Sequence, residues 1–392
     1  MLLAAGDCFE IGRAAYNAED YYHTIMWMQE ARERMNKEDP PTALLEDVLE
    51  FLAFSLYKQG NLKMALKLTE EITQIAPNNQ RAKGNIKWYE DLLIAEGVRK
   101  SDLRRQIPTI LNERPLDGLE TSERDIYEAL CRNEVPVSTK ALSKLYCYYK
   151  MDRPFLRLAP FKVEILRFNP LAVMFRNVIS DDEIERIKAL ATPKLNRATV
   201  QNAVTGELET ASYRISKSAW LRGDHDEVVE RINNRIDLMT NLEQETSEDL
   251  QIANYGIGGH YDPHHDFAKR DEPHAFKSLG TGNRMATVLF YLTQPELGGG
   301  TVFTELKTAV MPSKNDALFW YNLFRSGVGD LRTRHAACPV LIGIKWVANK
   351  WIHEKGQELR RPCGLKPSIQ ELYVGDLGAP EPRYFPNIRP AP

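Results

Sequence analysis

Four residues in the second half of the chain have the types and spacing for metal-assisted oxidation. His264 and Asp266 form an H-x-D pair in Tyr261-Asp-Pro-His264-His-Asp266-Phe267. In a strand, residues i and i+2 point to one face, so these two can share one ion while His265 points away. His335, sixty-nine residues after Asp266, supplies a third donor, and Lys345 follows it by ten positions. Two histidines and one carboxylate on one face of a metal leave three positions open, the donor set of non-haem Fe(II) oxygenases. Lone H-x-D pairs are common; one with a distant histidine and a basic residue at that offset is far more specific. The lysine has a physical purpose. A 2-oxoglutarate cosubstrate that chelates iron through its 1-carboxylate and keto oxygen needs a buried cation for its far carboxylate. Such a charge-assisted bond contributes about 1.5–3 kcal/mol.

These residues need strands to hold them. Lys345-Trp-Val-Ala-Asn-Lys-Trp351-Ile-His353 places Lys345, Val347, Asn349, Trp351 and His353 on one strand face by parity. A lysine sharing a face with Trp351 does not read as an ordinary solvent-facing one. Gly298-Gly-Gly-Thr301 reads as a sharp reversal entering a strand; with no helix following, a phosphate cradle is the weaker reading. His23, His260 and His274 lack a partner at ligand spacing and read as surface or satisfied histidines. His353-Glu354 does not continue into HExxH, which disfavours a zincin-type hydrolase. From about residue 152 the pattern is period-2 strands, interrupted by one helix at 181–191.

The first hundred residues read as helices only: 8–16, 21–35, 43–59, 63–75 and 80–96. Ala15-Tyr16-x-x-x-Asp20-Tyr21 matches Leu56-Tyr57-x-x-x-Asn61-Leu62 at an offset of 41, a tetratricopeptide-like period enlarged by a loop near 37–42. Two helix pairs and a capping helix stack into a short solenoid with a concave groove. Tyr16, Phe51, Phe54, Tyr57 and Trp88 are either core or a stacking platform for a proline-rich strand. Arg81 and Asn85, one turn apart beside Trp88, are candidates to bond a peptide backbone.

The organisation expected is therefore a helical domain over 1–100, then a linker and small helical segment over 101–151. A β-rich domain follows over 152–366, and a proline-rich extended or disordered tail over 367–392. The fold class is α+β multidomain: a TPR-like helical domain, then a double-stranded β-helix (jelly-roll) domain with flanking helices.

Fifty-one basic against 54 acidic residues leave a net charge of −3. No basic excess points to nucleic acid, and no run of 18 apolar residues points to a membrane span. The start is too short for a signal peptide. Five cysteines occur, none in a zinc-type cluster. Cys8 reads as a small core residue. Two pairs at moderate separation, Cys131/Cys147 and Cys338/Cys363, fit disulfides in an oxidising compartment, each contributing about 3 kcal/mol in the chain-entropy model, or free thiols in a reducing one.

Longer segments carry a resemblance. Tyr255-Gly-Ile-Gly-Gly-His-Tyr261-Asp-Pro-His264-His-Asp266, Gly282-Asn-Arg284, Phe319-Trp-Tyr-Asn322, Arg334-His335-Ala-Ala-Cys338 and Lys345 to Glu354 closely resemble the catalytic α subunit of animal collagen prolyl 4-hydroxylase. Tyr213-Arg214-Ile-Ser216-Lys-Ser-Ala-Trp220 and the helical region resemble it too, so the likeness spans roughly 7–365. It implies Fe(II) on His264, Asp266 and His335. It implies 2-oxoglutarate on Lys345, with Tyr255 and Thr301 hydrogen-bonding it. Tyr261, Arg284 and Trp351 match the proline pocket, and His353 a histidine aiding cosubstrate handling or substrate orientation. It implies disulfides Cys131–Cys147 and Cys338–Cys363 in the endoplasmic reticulum lumen. It implies O2 as cosubstrate, L-ascorbate as reductant of stranded iron, and protein disulfide isomerase as β subunit of an α2β2 tetramer. The substrate implied is a collagen-like chain with X-Pro-Gly units. The chain reads as a trimmed form, lacking the family's N-terminal dimerisation segment. Where well-known members carry groove tyrosines, Phe51, Phe54 and Trp88 stand here. The competing readings are a non-catalytic proline-rich-peptide adaptor with a vestigial barrel, and a lysyl hydroxylase.

Overall fold

The computed structural model describes residues 3–114, 121–201, 208–270, 272, 275–276 and 279–365. The proline-rich tail and His274 lie outside these. The chain divides into two compact units, Met1–Leu119 and Glu120–Pro392. The segment expected as a linker, 101–151, is thus shared between them.

The described residues of the first unit form five α-helices: α1 (Ala5–Asn17), α2 (Tyr21–Met35), α3 (Leu45–Lys58), α4 (Leu62–Ile75) and α5 (Gln80–Ala95). Each lies within three residues of the range read from periodicity. Asp20 and Asn79 cap α2 and α5 by accepting from the backbone N–H three residues on. One apolar stripe per helix builds a single core of Cys8, Ile25, Met28, Leu49, Leu52, Leu56, Leu66, Ile72 and Tyr89. Cys8 is the small core residue expected.

The second unit is built on two antiparallel sheets. The larger has nine strands, in spatial order Cys147–Lys150, Phe161–Phe168, Leu171–Arg176, Ala317–Tyr321, Arg284–Tyr291, Lys345–His353, Leu250–Tyr255, Lys217–Leu221 and Asn196–Arg197. The smaller runs Thr308–Val310, Thr301–Phe303, His335–Ala337, His260–His264 and Arg214–Ile215. One face of the large sheet contributes Tyr255, Leu289, Tyr291, Leu318, Trp320 and Val347 to a core shared with Phe303 and Val310 of the small sheet. This is the jelly-roll arrangement. Its other face packs on helices α8 (Asp181–Ala191) and α9 (Glu227–Thr240) through Ile184, Ile187, Val229, Ile232 and Met239. Helix α8 matches its expected range. It opens on a reciprocal box in which Ser180 accepts from the Glu183 N–H and Glu183 from the Ser180 N–H. Helix α9 was not expected, because the region was read as strands only; Asp226 caps it and Asn241 ends it at φ +60°.

Residues 121–150 are also only partly helical. Helix α6 (Thr121–Cys131) and the single turn α7 (Thr139–Leu142) are followed by a strand that carries Cys147 at the edge of the large sheet. This corrects the cysteine pairing. Cys131 joins Cys338, 207 residues away, with Cα atoms 5.5 Å apart. Cys147 and Cys363 are exposed and unpaired. The expected pairs join near neighbours in sequence, but α6 lies against the strand that Cys338 follows, while Cys147 pairs across to Glu164.

Candidate active site

The three donors come from the small sheet and the bend beside it. His335 opens its strand, His264 closes the adjacent one, and the two face each other across the ladder. Asp266 stands two residues beyond the end of the His260–His264 strand, not within it. One ligand atom from each of His264, Asp266 and His335 lies within 4.8 Å of the others.

Hydrogen bonds prepare this cluster. His264 Nδ1 donates to the Asp262 carbonyl at 2.7 Å, and His335 Nδ1 to the Thr333 carbonyl at 3.0 Å. Both Nε2 lone pairs are thereby left to a metal. Asp266 Oδ2 accepts from Thr287 Oγ1 at 2.7 Å, and that hydroxyl accepts from Asn322 Nδ2 at 2.9 Å. Burial and the facing His335 push His264 well below its ordinary pKa. Burial works the other way on Asp266, yet His335, His264, Arg284 and the Thr287 bond hold it below the usual carboxylate range. A neutral His264 imidazole beside an ionised Asp266 carboxylate is the form a divalent cation takes up. The donors fit Fe(II).

A ladder irregularity between Tyr261 and His264 adds a residue. Regular alternation would put Tyr261 and His264 on opposite faces; the bulge brings both to the pocket, their ring centroids 3.6 Å apart. His265 points elsewhere, bonding the Leu331 carbonyl through Nε2 at 3.1 Å.

Lys345, Tyr255 and Thr301 line the same pocket as the three donors, together with Trp320 and Trp351. Lys345 stands opposite Tyr255 across the ladder and is 1% exposed. Burial alone, with no carboxylate offsetting it, pushes its amine down to about 7. Its Nζ lies 5.4 Å from the Tyr255 ring centroid and 6.0 Å from that of Tyr291. Thr301 Oγ1 accepts from Tyr291 at 2.9 Å. Gly299, at φ +71°, turns the chain where a Cβ would come 3.3 Å from the Lys345 stem, as expected of a reversal beside the site. Two indole donors at this pocket, Trp320 Nε1 and Trp351 Nε1, are buried without a partner. A lone buried ammonium beside unspent donors fits the anionic end of a dicarboxylate.

Outside the pocket opens a cleft of about 610 Å³ lined by Tyr213, Trp220, Tyr261, Phe276, Arg284 and Trp351. The Arg284 guanidinium lies 3.8 Å from the Trp351 ring centroid and 4.5 Å from that of Phe276. Glu248, which no spacing or periodicity pointed to, grips it with both oxygens. Burial opposes ionisation of Glu248, but Arg284 and His353 hold it at about 2. His353 is fully buried and lines neither the pocket nor the cleft. Its Nε2 meets Glu248 at 2.9 Å, and its Nδ1 the Gly282 carbonyl at 2.8 Å. It braces Arg284 through Glu248. Arg214, in the Tyr213–Trp220 segment, has no ligand spacing or periodicity that marks it. It donates to Gln251 Oε1 at 3.0 Å and lies 4.8 Å from the Tyr261 ring centroid.

In the helical unit, Tyr16, Phe51, Phe54, Tyr57 and Trp88 form one ladder of edge contacts. Centroids are 4.8 Å apart for Tyr16–Phe51, 5.8 Å for Phe54–Tyr57 and 4.7 Å for Tyr57–Trp88. The first four are half-buried and Trp88 is 39% exposed, whereas Tyr89 is core. Arg81 pairs with Glu50 at 2.9 Å, and half-buried Asn85 lies near it on α5.

The 2OG-Fe(II) oxygenase superfamily model matches residues 250–353, which hold His264, Asp266, His335 and Lys345. Fold and site together define a 2-oxoglutarate-dependent ferrous dioxygenase that uses Fe(II), 2-oxoglutarate and O2. The prolyl 4-hydroxylase peptide-substrate-binding domain model matches residues 5–95. Prolyl 4-hydroxylase subunit alpha-1 of Caenorhabditis elegans is 66% identical over 388 residues, 99% of this chain and 69% of that protein. Its namesake in Homo sapiens is 49% identical over 369 residues, 93% of this chain and 69% of that protein. The crystal structure of a viral collagen prolyl hydroxylase from Paramecium Bursaria Chlorella virus-1 is 26% identical, with a TM-score of 0.38; it covers 46% of this chain and 94% of that one. The chain belongs to the prolyl 4-hydroxylase α-subunit family.

Proposed function

We propose that this chain hydroxylates C4 of proline in X-Pro-Gly units of collagen-like chains, coupled to decarboxylation of 2-oxoglutarate to succinate and CO2. The observation that carries the reading is a metal-ready triad sharing one pocket with a buried ammonium that has no carboxylate partner among the described residues. The proline C4–H bond is unactivated and no side-chain base removes that proton, so bound iron and O2 supply the oxidising power.

The side chains then divide the work. His264, Asp266 and His335 hold the metal. Lys345 Nζ binds the far carboxylate of the cosubstrate, assisted by Tyr255 and Thr301. Tyr261, Arg284 and Trp351 wall the mouth against water and orient the proline, with Arg284 fixed by Glu248 and His353. The aromatic ladder stacks a proline-rich strand, and Arg81 and Asn85 bond its backbone. An adaptor has no use for the four polar groups of the pocket, and a peptide-binding helical domain suits proline better than lysine. The family supports protein disulfide isomerase as β subunit in an α2β2 tetramer, work in the endoplasmic reticulum lumen, and ascorbate as reductant. Among the described residues no helix is long and apolar enough to cross a membrane.

The test is incubation of a Pro-Pro-Gly repeat with the chain, iron, 2-oxoglutarate and ascorbate, read by mass spectrometry and CO2 release. One oxygen gained per CO2, at C4, is expected. Peptide binding with no CO2 would leave the adaptor, and oxidation of a lysine-containing repeat instead would leave the lysyl hydroxylase.

A further inference from the structure

We propose that helix α6 is a clamp on the two strands that carry the metal ligands, with Glu123 and Arg124 as its positioning residues. This rests on reading His264, Asp266 and His335 as the metal set.

Helix α6 lies on the outer face of the small sheet. Tyr127 and Leu130 are buried against Val302, Ala336 and Cys338. Strand alternation turns Ala336 to the helix and His335 to the pocket. Two charged side chains from the first turns of α6 reach beyond this apolar contact to either ligand strand. Glu123 accepts from Nε and Nη2 of Arg334, the residue preceding His335. Arg124 Nη1 stands 3.7 Å from Oδ1 of Asp262. Asp262 is the residue whose carbonyl orients His264. All four side chains are about four-fifths buried, so solvent and salt weaken these pairs little. Further along the helix, Tyr127 donates to the Ala337 carbonyl at 3.4 Å, and Cys131 is bonded to Cys338.

The strands need this help. The His335 strand is three residues long, and its ladder to the His264 strand is interrupted between Tyr261 and His264. Few ladder bonds therefore fix the spacing of the two imidazoles. A clamp that touches the neighbours of both ligands sets that spacing from outside the pocket. Loss of groups that orient metal ligands typically lowers metal affinity about 10- to 100-fold.

Cobalt(II) titration of the full chain reads this without turnover, because the visible absorption of Co(II) reports ligand geometry. The double variant Glu123→Ala/Arg124→Ala should bind Co(II) about 10-fold more weakly, with displaced absorption bands. Glu123→Asp and Arg124→Lys should recover most of the affinity, and Arg132→Ala, exposed just past the helix, should match wild type. If the double variant does not fold, Glu123→Gln and Arg124→Gln singly carry the test, each with several-fold weaker binding expected. Wild-type affinity and spectrum in these variants overturn the clamp. His335→Ala separates the two claims: if it binds Co(II) as wild type does, the ligand assignment fails and takes the clamp with it.

Discussion

The helical unit and the barrel unit present their functional side chains in opposite ways. In the helical unit they are half-buried rings at helical spacing, held by edge-to-face contacts with one another. In the barrel they are buried polar groups, most with a named hydrogen-bond partner, down to the Thr287–Asn322 pair behind Asp266. A binding groove needs area and tolerates irregularity, so its energy spreads over many small contacts. A redox centre needs a few atoms at fixed positions out of water, so its energy concentrates in few groups. The consequence is a steep hierarchy of mutational effects, severe in the barrel and graded in the groove.

The largest effect is expected at Asp266. Asp266→Ala should reduce 2-oxoglutarate-coupled CO2 release to background, while His265→Ala, one residue away and bonded to the Leu331 carbonyl, should keep most of it. Similar losses in both would mean that His265 serves the centre. Next is Glu248, buried between Arg284 and His353. Glu248→Ala leaves a largely buried guanidinium, its side chain 17% exposed, without its carboxylate, and breaking a buried pair typically costs about 3–5 kcal/mol. Chemical denaturation should show a loss of that size. A loss below about 1 kcal/mol, the range of exposed pairs, would mean that water reaches Arg284 freely.

Lys345 follows. Lys345→Ala should raise the 2-oxoglutarate KM about 10- to 100-fold, the equivalent of one charge-assisted bond, and leave the peptide KM nearly unchanged. Its lowered pKa adds a signature in pH. In the free protein burial holds the amine at about 7, below its ordinary 10.5. A bound carboxylate favours the charged form and raises that value, so binding above pH 7 must take up a proton. At pH 8, calorimetry in buffers of differing ionisation heat should find uptake of about one proton, shrinking towards zero below pH 6. Folding without the cosubstrate has the opposite sign, because it releases a proton here where binding takes one up. Between about pH 7 and 10.5 the unfolded chain binds more protons here than the native one, so this lysine destabilises less as pH rises through that window. Zero uptake at pH 8 would mean the ammonium is already charged in the free pocket.

The sequence made different parts of these two regions legible. The helical unit could be read almost whole, because a helix stripe is a local pattern and α2 matched its expected ends. The centre could be read because metal chemistry restricts residue types, which singles out His264, Asp266, His335 and Lys345 even when they are far apart. Single residues brought in by topology could not. Glu248 precedes a strand among ordinary polar neighbours, and nothing local marks it as the partner of Arg284. His353 has the parity of Lys345 yet lines neither cavity, since parity gives a face and not a depth. Tyr261 has the wrong parity relative to His264, and only a bulge reconciles them. The cysteine pairing failed for a related reason: closeness in sequence stood in for closeness in space, and α6 packs against a strand two hundred residues on. Helix α9 is masked by its β-branched residues Val228, Val229, Ile232 and Ile236, types that favour strands.

The smallest effects belong to the groove, and they test whether it is a binding site at all. Trp88 is more exposed than its ladder partners, so its replacement should cost the fold little. If its face stacks on peptide, Trp88→Ala removes one aromatic contact of about 0.5–1.5 kcal/mol, a 2- to 12-fold rise in KM for a long Pro-Pro-Gly repeat. The same variant should leave kcat unchanged, and also the KM of a peptide too short to occupy both units. The reason is effective concentration: a long chain held by one unit meets the other as if tethered, and a short one gains nothing from the tether. Equal KM values for short and long repeats in the wild type would remove the argument for two cooperating regions. Phe54→Tyr probes the same point with the opposite sign. It adds a hydroxyl to a half-buried ring that makes edge contacts to Tyr16 and Tyr57. One added hydrogen bond to a peptide carbonyl contributes about 0.5–1.5 kcal/mol, so the long-repeat KM should fall about 2- to 12-fold while turnover of the short one stays as it was. A rise instead would mean that this ring meets the peptide through its edge, where an added oxygen is only an obstruction.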